Sequence, residues 1–171
     1  AQNGGVVTVK PLKKARAGLV ITGSEVYDGL IQDRFAPTLS AKITTLGSAV
    51  TGTTFVPDDE ERIVYAIRKH LDHGCDLLLL SGGMSVDPDD VTRKAIRMAG
   101  AGEVHYGAAA LPGAMFLVAY IGEIPLLGVP ACGLHHSITV LDLVLPRILA
   151  GERVGKKQLA FMGHGGLCQD C

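Results

Sequence analysis

Four consecutive leucines, Leu77 to Leu80, run into the stretch "SGGMSVDPDDVT". A strand with one face in water alternates apolar and polar residues, so an unbroken apolar run marks a strand buried on both faces. Such a strand needs helices packed above and below it, the situation of a parallel sheet inside an α/β fold. The run then stops abruptly in glycines, serines and aspartates. Open α/β sheets bind ligands beyond the carboxyl ends of their strands, so the polar cluster after Leu80 marks a binding edge.

The rest of the chain follows the same alternation. "GLVIT" (18–22) and "AVTGTTFV" (49–56) read as strands, and residues 115–120 and 124–129 as a hairpin around "IGE". Leu30, Ile31, Phe35, Leu39, Ile43 and Leu46 fall at helical spacing, with Pro37 requiring a late start or a break. Residues 58–73 read as the clearest helix: Ile63, Val64, Ile67 and Leu71 share a face, and Asp58 with Glu61 resembles a capping box. Arg68, Lys69 and His70 suit its negative end, and Gly74 stops it. Shorter helices are predicted over 92–99 and 134–149. This order predicts a three-layer α/β/α sandwich with a mostly parallel central sheet over 18–151, an N-terminal extension (1–17) and a C-terminal tail (152–171).

Composition narrows the partners. With 171 residues and 47% hydrophobic content, one domain with a sizeable core is expected. Sixteen Lys and Arg against seventeen Asp and Glu leave no long-range field for nucleic acid or anionic lipid, so neither partner is expected. The least polar stretch, 106–134, is cut by Pro112, Pro125 and Pro130 into lengths too short to span a membrane. The first residues lack a signal-peptide pattern, and four unevenly spaced cysteines do not form a disulfide framework, so a reducing cytoplasm is the expected setting.

The polar stretch can be read further. Gly82 and Gly83 permit positive φ and close backbone approach, while Ser81 and Ser85 offer hydroxyls to a phosphate or a pterin-like ring. Asp87, Asp89 and Asp90 would repel a bare phosphate, so phosphate with magnesium is the simplest consistent ligand. A blander reading stands beside it. Asp87 before Pro88, or Thr92, could simply cap a helix; capping would account for Asp58; Thr22–Gly23–Ser24 could be an ordinary turn. Cys132 with His135 or His136 suits a soft metal, or is packing beside a solvated histidine. In the tail, His164, Cys168 and Cys171 are spaced to give three ligands of a zinc or iron–sulfur site that further sequence, Cys132 or another subunit would complete; the blander reading is a disordered glycine-rich tail.

Together "VITGSEVYDG", "VPDDEERI", "LLLLSGGMSVDPDDVT" and "LLGVPACGLHHS" resemble the molybdopterin-binding domain of molybdenum cofactor biosynthesis, as found in molybdopterin adenylyltransferases and molybdopterin molybdenumtransferases. The resemblance covers about residues 18–151. It implies molybdopterin bound across the strand ends by Thr22, Gly23, Ser24, Ser81, Gly82, Gly83, Ser85, Pro130, Cys132 and Gly133. It further implies that Asp58 and Asp90 serve magnesium-dependent chemistry, with Asp90 on the metal. Adenylyl transfer from ATP, or insertion of molybdate using the adenylate, would follow, in a homo-oligomer and specifically a trimer. The chain departs from the transferase pattern at Ser24, where an acidic residue is usual, at "VPACG", where a Pro-Gly-Asn-Pro-like loop is usual, and at Asp87, where glycine is usual. These changes keep open a non-catalytic cofactor carrier or sensor, and a nucleotide pyrophosphatase or hydrolase on a similar domain.

Overall fold

A computed structural model of the chain describes residues 8–83 and 91–164. Six strands form one sheet: β1 (Arg16–Thr22), β2 (Ala49–Val56), β3 (Leu77–Ser81), β4 (Glu103–Tyr106), β5 (Leu117–Ile121) and β6 (Ile124–Val129). Their order is β2-β1-β3-β6-β5-β4. The first four in that order run parallel, and β5 and β4 close the sheet antiparallel. The fold is thus the expected three-layer sandwich around a mostly parallel sheet.

The four leucines of β3 explain the layers. None is more than 1% exposed. Leu77 and Leu79 join the cluster that includes Leu39, Ile43, Val140 and Val144, on one face of the sheet. Leu78 and Leu80 join Ile63, Ile67, Ala95 and Ile96 on the other. The first layer is supplied by α2 (Phe35–Thr45) and α5 (Val140–Leu149), with Leu159 of α6 (Lys156–Phe161); the second by α3 (Glu60–Asp72) and α4 (Val91–Met98). A buried Leu contributes about 1.5–3 kcal/mol relative to an exposed one, which is why a central strand can omit polar residues altogether. Among the described residues no helix is long and apolar enough to cross a membrane.

Several boundaries differ from the expected ones. The second helix begins at Phe35, where Asp33 accepts hydrogen bonds from the amides of Phe35 and Ala36, so Pro37 falls in the first turn and breaks nothing. Before it lies a four-residue helix, α1 (Ser24–Tyr27). The closing helix starts at Val140, capped by a Thr139–Asp142 box, while Ala131–Leu134 form a 3-10 turn. The apolar side chains of the LLGVP segment and of this helix would suit self-association if they were exposed. Leu126, Leu127, Val129, Leu141, Val144 and Leu145 are instead consumed by the chain's own core, each at most 1% exposed.

One buried polar side chain shapes the sheet edge. Gly18 of β1 and Gly52 of β2 stand opposite each other, and the His70 ring of α3 lies over both. A Cβ on Gly18 would sit 2.7 Å from His70 Nδ1. The Thr54 hydroxyl meets Nε2 at 3.1 Å. Burial pushes the His70 pKa below its ordinary 6.5, outweighing a hydrogen bond to the Leu19 backbone that favours the charged form; Lys69 and His73 push it further down. The neutral ring is therefore favoured by folding. Its stabilisation is fully present above pH 6.5 and is lost as the pH falls from there through the lowered folded-state value. Urea unfolding at about pH 7.5 and about pH 5.5 should show this loss, and His70→Gln, which cannot titrate, should show a smaller difference between the two.

Candidate functional site

The carboxyl ends of β2, β1, β3 and β6 lie side by side because these strands are parallel neighbours. The residues that follow them are Pro57 and Asp58, Gly23 and Ser24, Gly82 and Gly83, and Pro130 to Gly133. Hydrogen bonds bind the first three segments together. Gly23 N donates to Val56 O at 3.2 Å, and the Thr22 hydroxyl donates to Ser81 O at 3.0 Å. Ser24 N donates to Asp58 Oδ2 at 3.2 Å, while Asp58 N donates back to Ser24 Oγ at 3.4 Å.

This pairing corrects the capping assignment. The N-cap of α3 is Asp59, whose carboxylate accepts from Arg62 N at 2.9 Å. Asp58 is left exposed on the binding edge, held by the turn after β1 rather than by its own helix. Two adjacent aspartates thus divide the work: the second satisfies the helix and the first faces the site. Among the described residues Asp58 Oδ2 is the oxygen engaged by Ser24, so Oδ1 remains to accept from, or coordinate, a ligand.

The glycine pair is needed for its backbone. Gly82 has φ +88° and Gly83 φ +57°, conformations that side chains rarely adopt. A Cβ at Gly82 would lie 2.3 Å from Thr22 O, so the two turns approach as closely as backbone allows. Thr92, inside α4 rather than capping it, donates from its hydroxyl to Gly82 O at 3.3 Å. Just before the pair, Ser81 is fully buried and its hydroxyl has no hydrogen-bond partner among the described residues. Leaving a buried polar group unpaired costs about 1–3 kcal/mol, so alanine would be the more stable choice there on folding grounds alone.

The remaining expected contacts are divided. Pro130 and Gly133 are buried, and Gly133 is confined by Val129, where a Cβ would come within 3.0 Å of Cγ1; both shape the 3-10 turn, and Gly133 also lines the cavity beside it. Cys132 is half-buried, and His135 and His136 are exposed. With Lys42, these histidines line an open cavity of about 410 Å³ beside the turn. Lys42 Nζ donates to Ser137 O at 2.7 Å and pairs with Asp142 at 2.5 Å, which offsets its charge there. Among the described residues no three of His, Cys, Asp and Glu come together as metal ligands, so Cys132 with His135 or His136 does not form a closed centre. His164 is exposed after α6. Ser85, Asp87, Asp89, Asp90, Cys168 and Cys171 lie outside the described residues.

Sequence reasoning assigned Ser24 and Asp58 to the site separately and missed their mutual hydrogen bonds, because 34 residues separate them. It also missed the seat of His70. Glycines inside two predicted strands, at 18 and 52, were the available signal of a close approach.

Comparison with known proteins gives the family and the fold. Residues 18–150 match the family described as probable molybdopterin binding domain. A CinA-like protein of Mycobacterium tuberculosis is 37% identical over 82 residues, 48% of this chain and 19% of that protein, so the match spans about a fifth of the relative. Among solved structures, the protein CinA of unknown function from Thermoplasma acidophilum superposes with a TM-score of 0.67 at 17% identity, over 80% of this chain and 98% of that one. The molybdopterin biosynthesis enzyme MoaB of Thermus thermophilus gives 0.65 at 23% identity, over 81% and 98%. The molybdopterin biosynthesis protein MoeA of Pyrococcus horikosii gives 0.66 at 25% identity, over 81% of this chain and 35% of that one.

The contrast between Ser81 and Gly82 is testable by thermal unfolding. Ser81→Ala should leave the Tm unchanged or raise it, since it removes an unpaired buried hydroxyl. Gly82→Ala should cost about 1 kcal/mol or more, because it combines a positive φ with a collision against Thr22 O.

Proposed function

Because the chain belongs to the family of probable molybdopterin binding domains of molybdenum cofactor biosynthesis, we propose that it binds molybdopterin across these strand ends and transfers an adenylyl group to it, or uses the adenylate to insert metal. The observation that supports this best is Ser81 with the glycine pair: a buried hydroxyl with no partner among the described residues directly precedes two residues of positive φ on the edge where the strands end. Stability does not explain that hydroxyl, and a polar ligand or its water does.

In this reading the amides and the open conformation of Gly82 and Gly83 receive the pterin or its phosphate, with Ser85 and the Thr22–Gly23–Ser24 turn on the adjoining side. Asp58 and Asp90 take the magnesium that accompanies phosphate. The carboxylate of Asp58 suits it, since magnesium is commonly held by one or two carboxylates together with substrate phosphates. When bound, the ion would offset negative charge on the transferring phosphoryl group. The chain's own part is positional: the Ser24–Asp58 pair holds the carboxylate still, and the turn after β6 closes the floor through Gly133. In adenylyl transfer an oxygen of the acceptor displaces pyrophosphate at the α-phosphorus of ATP, so atoms and charge balance without a redox partner.

Fold does not fix function, and two other readings use the same edge: a nucleotide held there for pyrophosphate cleavage, or the cofactor carried without turnover. Incubation with molybdopterin, ATP and magnesium separates the three. Attachment of AMP to molybdopterin is the expected result; binding without attachment favours the carrier, and bulk nucleotide hydrolysis favours the pyrophosphatase. Asp90→Asn and Asp58→Asn should each abolish turnover while changing pterin affinity by less than about tenfold, some 1.4 kcal/mol. Unchanged turnover would remove the catalytic assignment.

Self-association as a trimer rests on the family resemblance. Exposed apolar side chains available for it include Leu30 and Phe161, each 76% exposed, and Phe55 of the edge strand β2. Light scattering at micromolar concentration should give a mass three times that of the chain; a monomer would refute the assembly.

A further inference from the structure

At the outer edge of the sheet, away from the strand carboxyl ends, a cavity of about 290 Å³ opens over the Gly18–Gly52 pair. Its lining includes two cationic side chains, Arg16 and Lys69, together with the imidazoles of His70 and His73 and the hydroxyl-bearing Thr51 and Thr54. No carboxylate is among its described lining residues. In a chain with seventeen acidic residues against sixteen Lys and Arg, this concentration of positive charge is local rather than general. We infer that this cavity is a binding site for a small tetrahedral oxyanion, a phosphate ion or the phosphate head of a monoester, separate from the proposed molybdopterin site.

The cavity is built by three departures from a regular sheet edge. A β-bulge falls where the β1–β2 register shifts between Ala17 and Gly18, leaving Thr51 as the extra residue of β2. Bulges re-aim side chains, and here the Thr51 hydroxyl turns inward, to Ala17 O at 3.2 Å and Cys75 Sγ at 3.1 Å. Next to it Gly52 contributes no side chain, and a Cβ there would come within 3.3 Å of His70 Cε1. The opening over the imidazole exists because that Cβ is missing. Cys75, 2% exposed, forms part of the wall, its sulfur 3.9 Å from His70 Nδ1.

The charge is held in place rather than loose. The Arg16 guanidinium donates from Nε to Gly74 O at 3.2 Å and from Nη2 to His73 O at 3.4 Å. These bonds satisfy the last carbonyls of the α3 end, whose dipole would otherwise oppose an anion, and leave further N–H groups of the fork unspent. Asp76 is the nearby carboxylate in the same loop, and its Oδ1 is occupied by Arg16 N at 2.7 Å. His73 Nδ1 donates to Lys69 O at 2.6 Å, which fixes the ring at the rim of the cavity, where it reports on an anion held by Arg16 and Lys69. Lys69 is exposed on the helix and supplies a mobile point charge, suited to phosphate as a counter-charge. The volume sits at the lower limit of about 300 Å³ for cavities that take drug-sized molecules, which selects an ion or a short ester over a nucleotide.

The test uses the full chain at constant ionic strength and neutral pH, titrated with inorganic phosphate, with ethyl phosphate, and with chloride as control, while the imidazole Hε1 resonances are followed by NMR. Saturable shifts of His70 and His73 at millimolar phosphate, absent with chloride, are expected. Tighter binding of the ester would identify the monoester head as the ligand; equal or weaker binding would identify the free ion. Lys69→Gln, on an exposed helix surface, should weaken binding at least about fivefold. Gly52→Val should abolish the shifts by filling the opening. Non-saturating shifts, the same shifts with chloride, or unaltered binding in both variants would overturn the site. Phosphate bound at the glycine pair after β3 would leave His70 and His73 unmoved, so failure here is distinguishable from failure of the molybdopterin reading.

Discussion

The structure depends on the double-sided burial of β3. Once Leu77–Leu80 are packed between two helical layers, the centre of the sheet is filled by apolar side chains, so polar chemistry collects where the strands end and at the outer β2 edge. The parallel run of β2, β1, β3 and β6 then brings four such ends to one edge. This also explains the abruptness of the change from leucine to serine and glycine: it falls where the chain leaves the sandwich.

At that edge, backbone geometry does more than side-chain chemistry. Gly82 is pressed against Thr22 O, Ser81 carries a buried hydroxyl without a partner among the described residues, and Asp58 is steadied by a backbone amide of the β1 turn. A preorganised edge of this kind lowers the cost of ordering a polar ligand, because its donors are already in place. The freeing of Asp58 turns on one residue: with Asp59 meeting the helix amides, the preceding carboxylate is spared for the site.

Reading the sequence recovered what local pattern encodes. The strands β1, β2, β3, β5 and β6 and the helix α3 fall close to their expected positions, because each has a run long enough for its periodicity to show. The four-residue strand β4 and the helices α1 and α6 were missed; at four to six residues they carry too little periodicity and exist through contacts with the rest of the fold. The positive φ expected of Gly82 and Gly83 is present at both. The Asp58 cap was misplaced by one residue, since "DDEE" offers two equivalent candidates and only geometry chooses between them.

What the sequence by itself determined is the layer architecture and the edge that carries the chemistry, because hydrophobic period and the end of an apolar run are properties of consecutive residues. Tertiary structure alone decided the partnerships: Ser24 with Asp58, Thr22 with Ser81, and His70 with Gly18, Gly52 and Thr54. The first two join residues 34 and 59 positions apart. Such pairs depend on the register of parallel strands, which is set by the packing of both sheet faces at once and leaves no mark in any one segment.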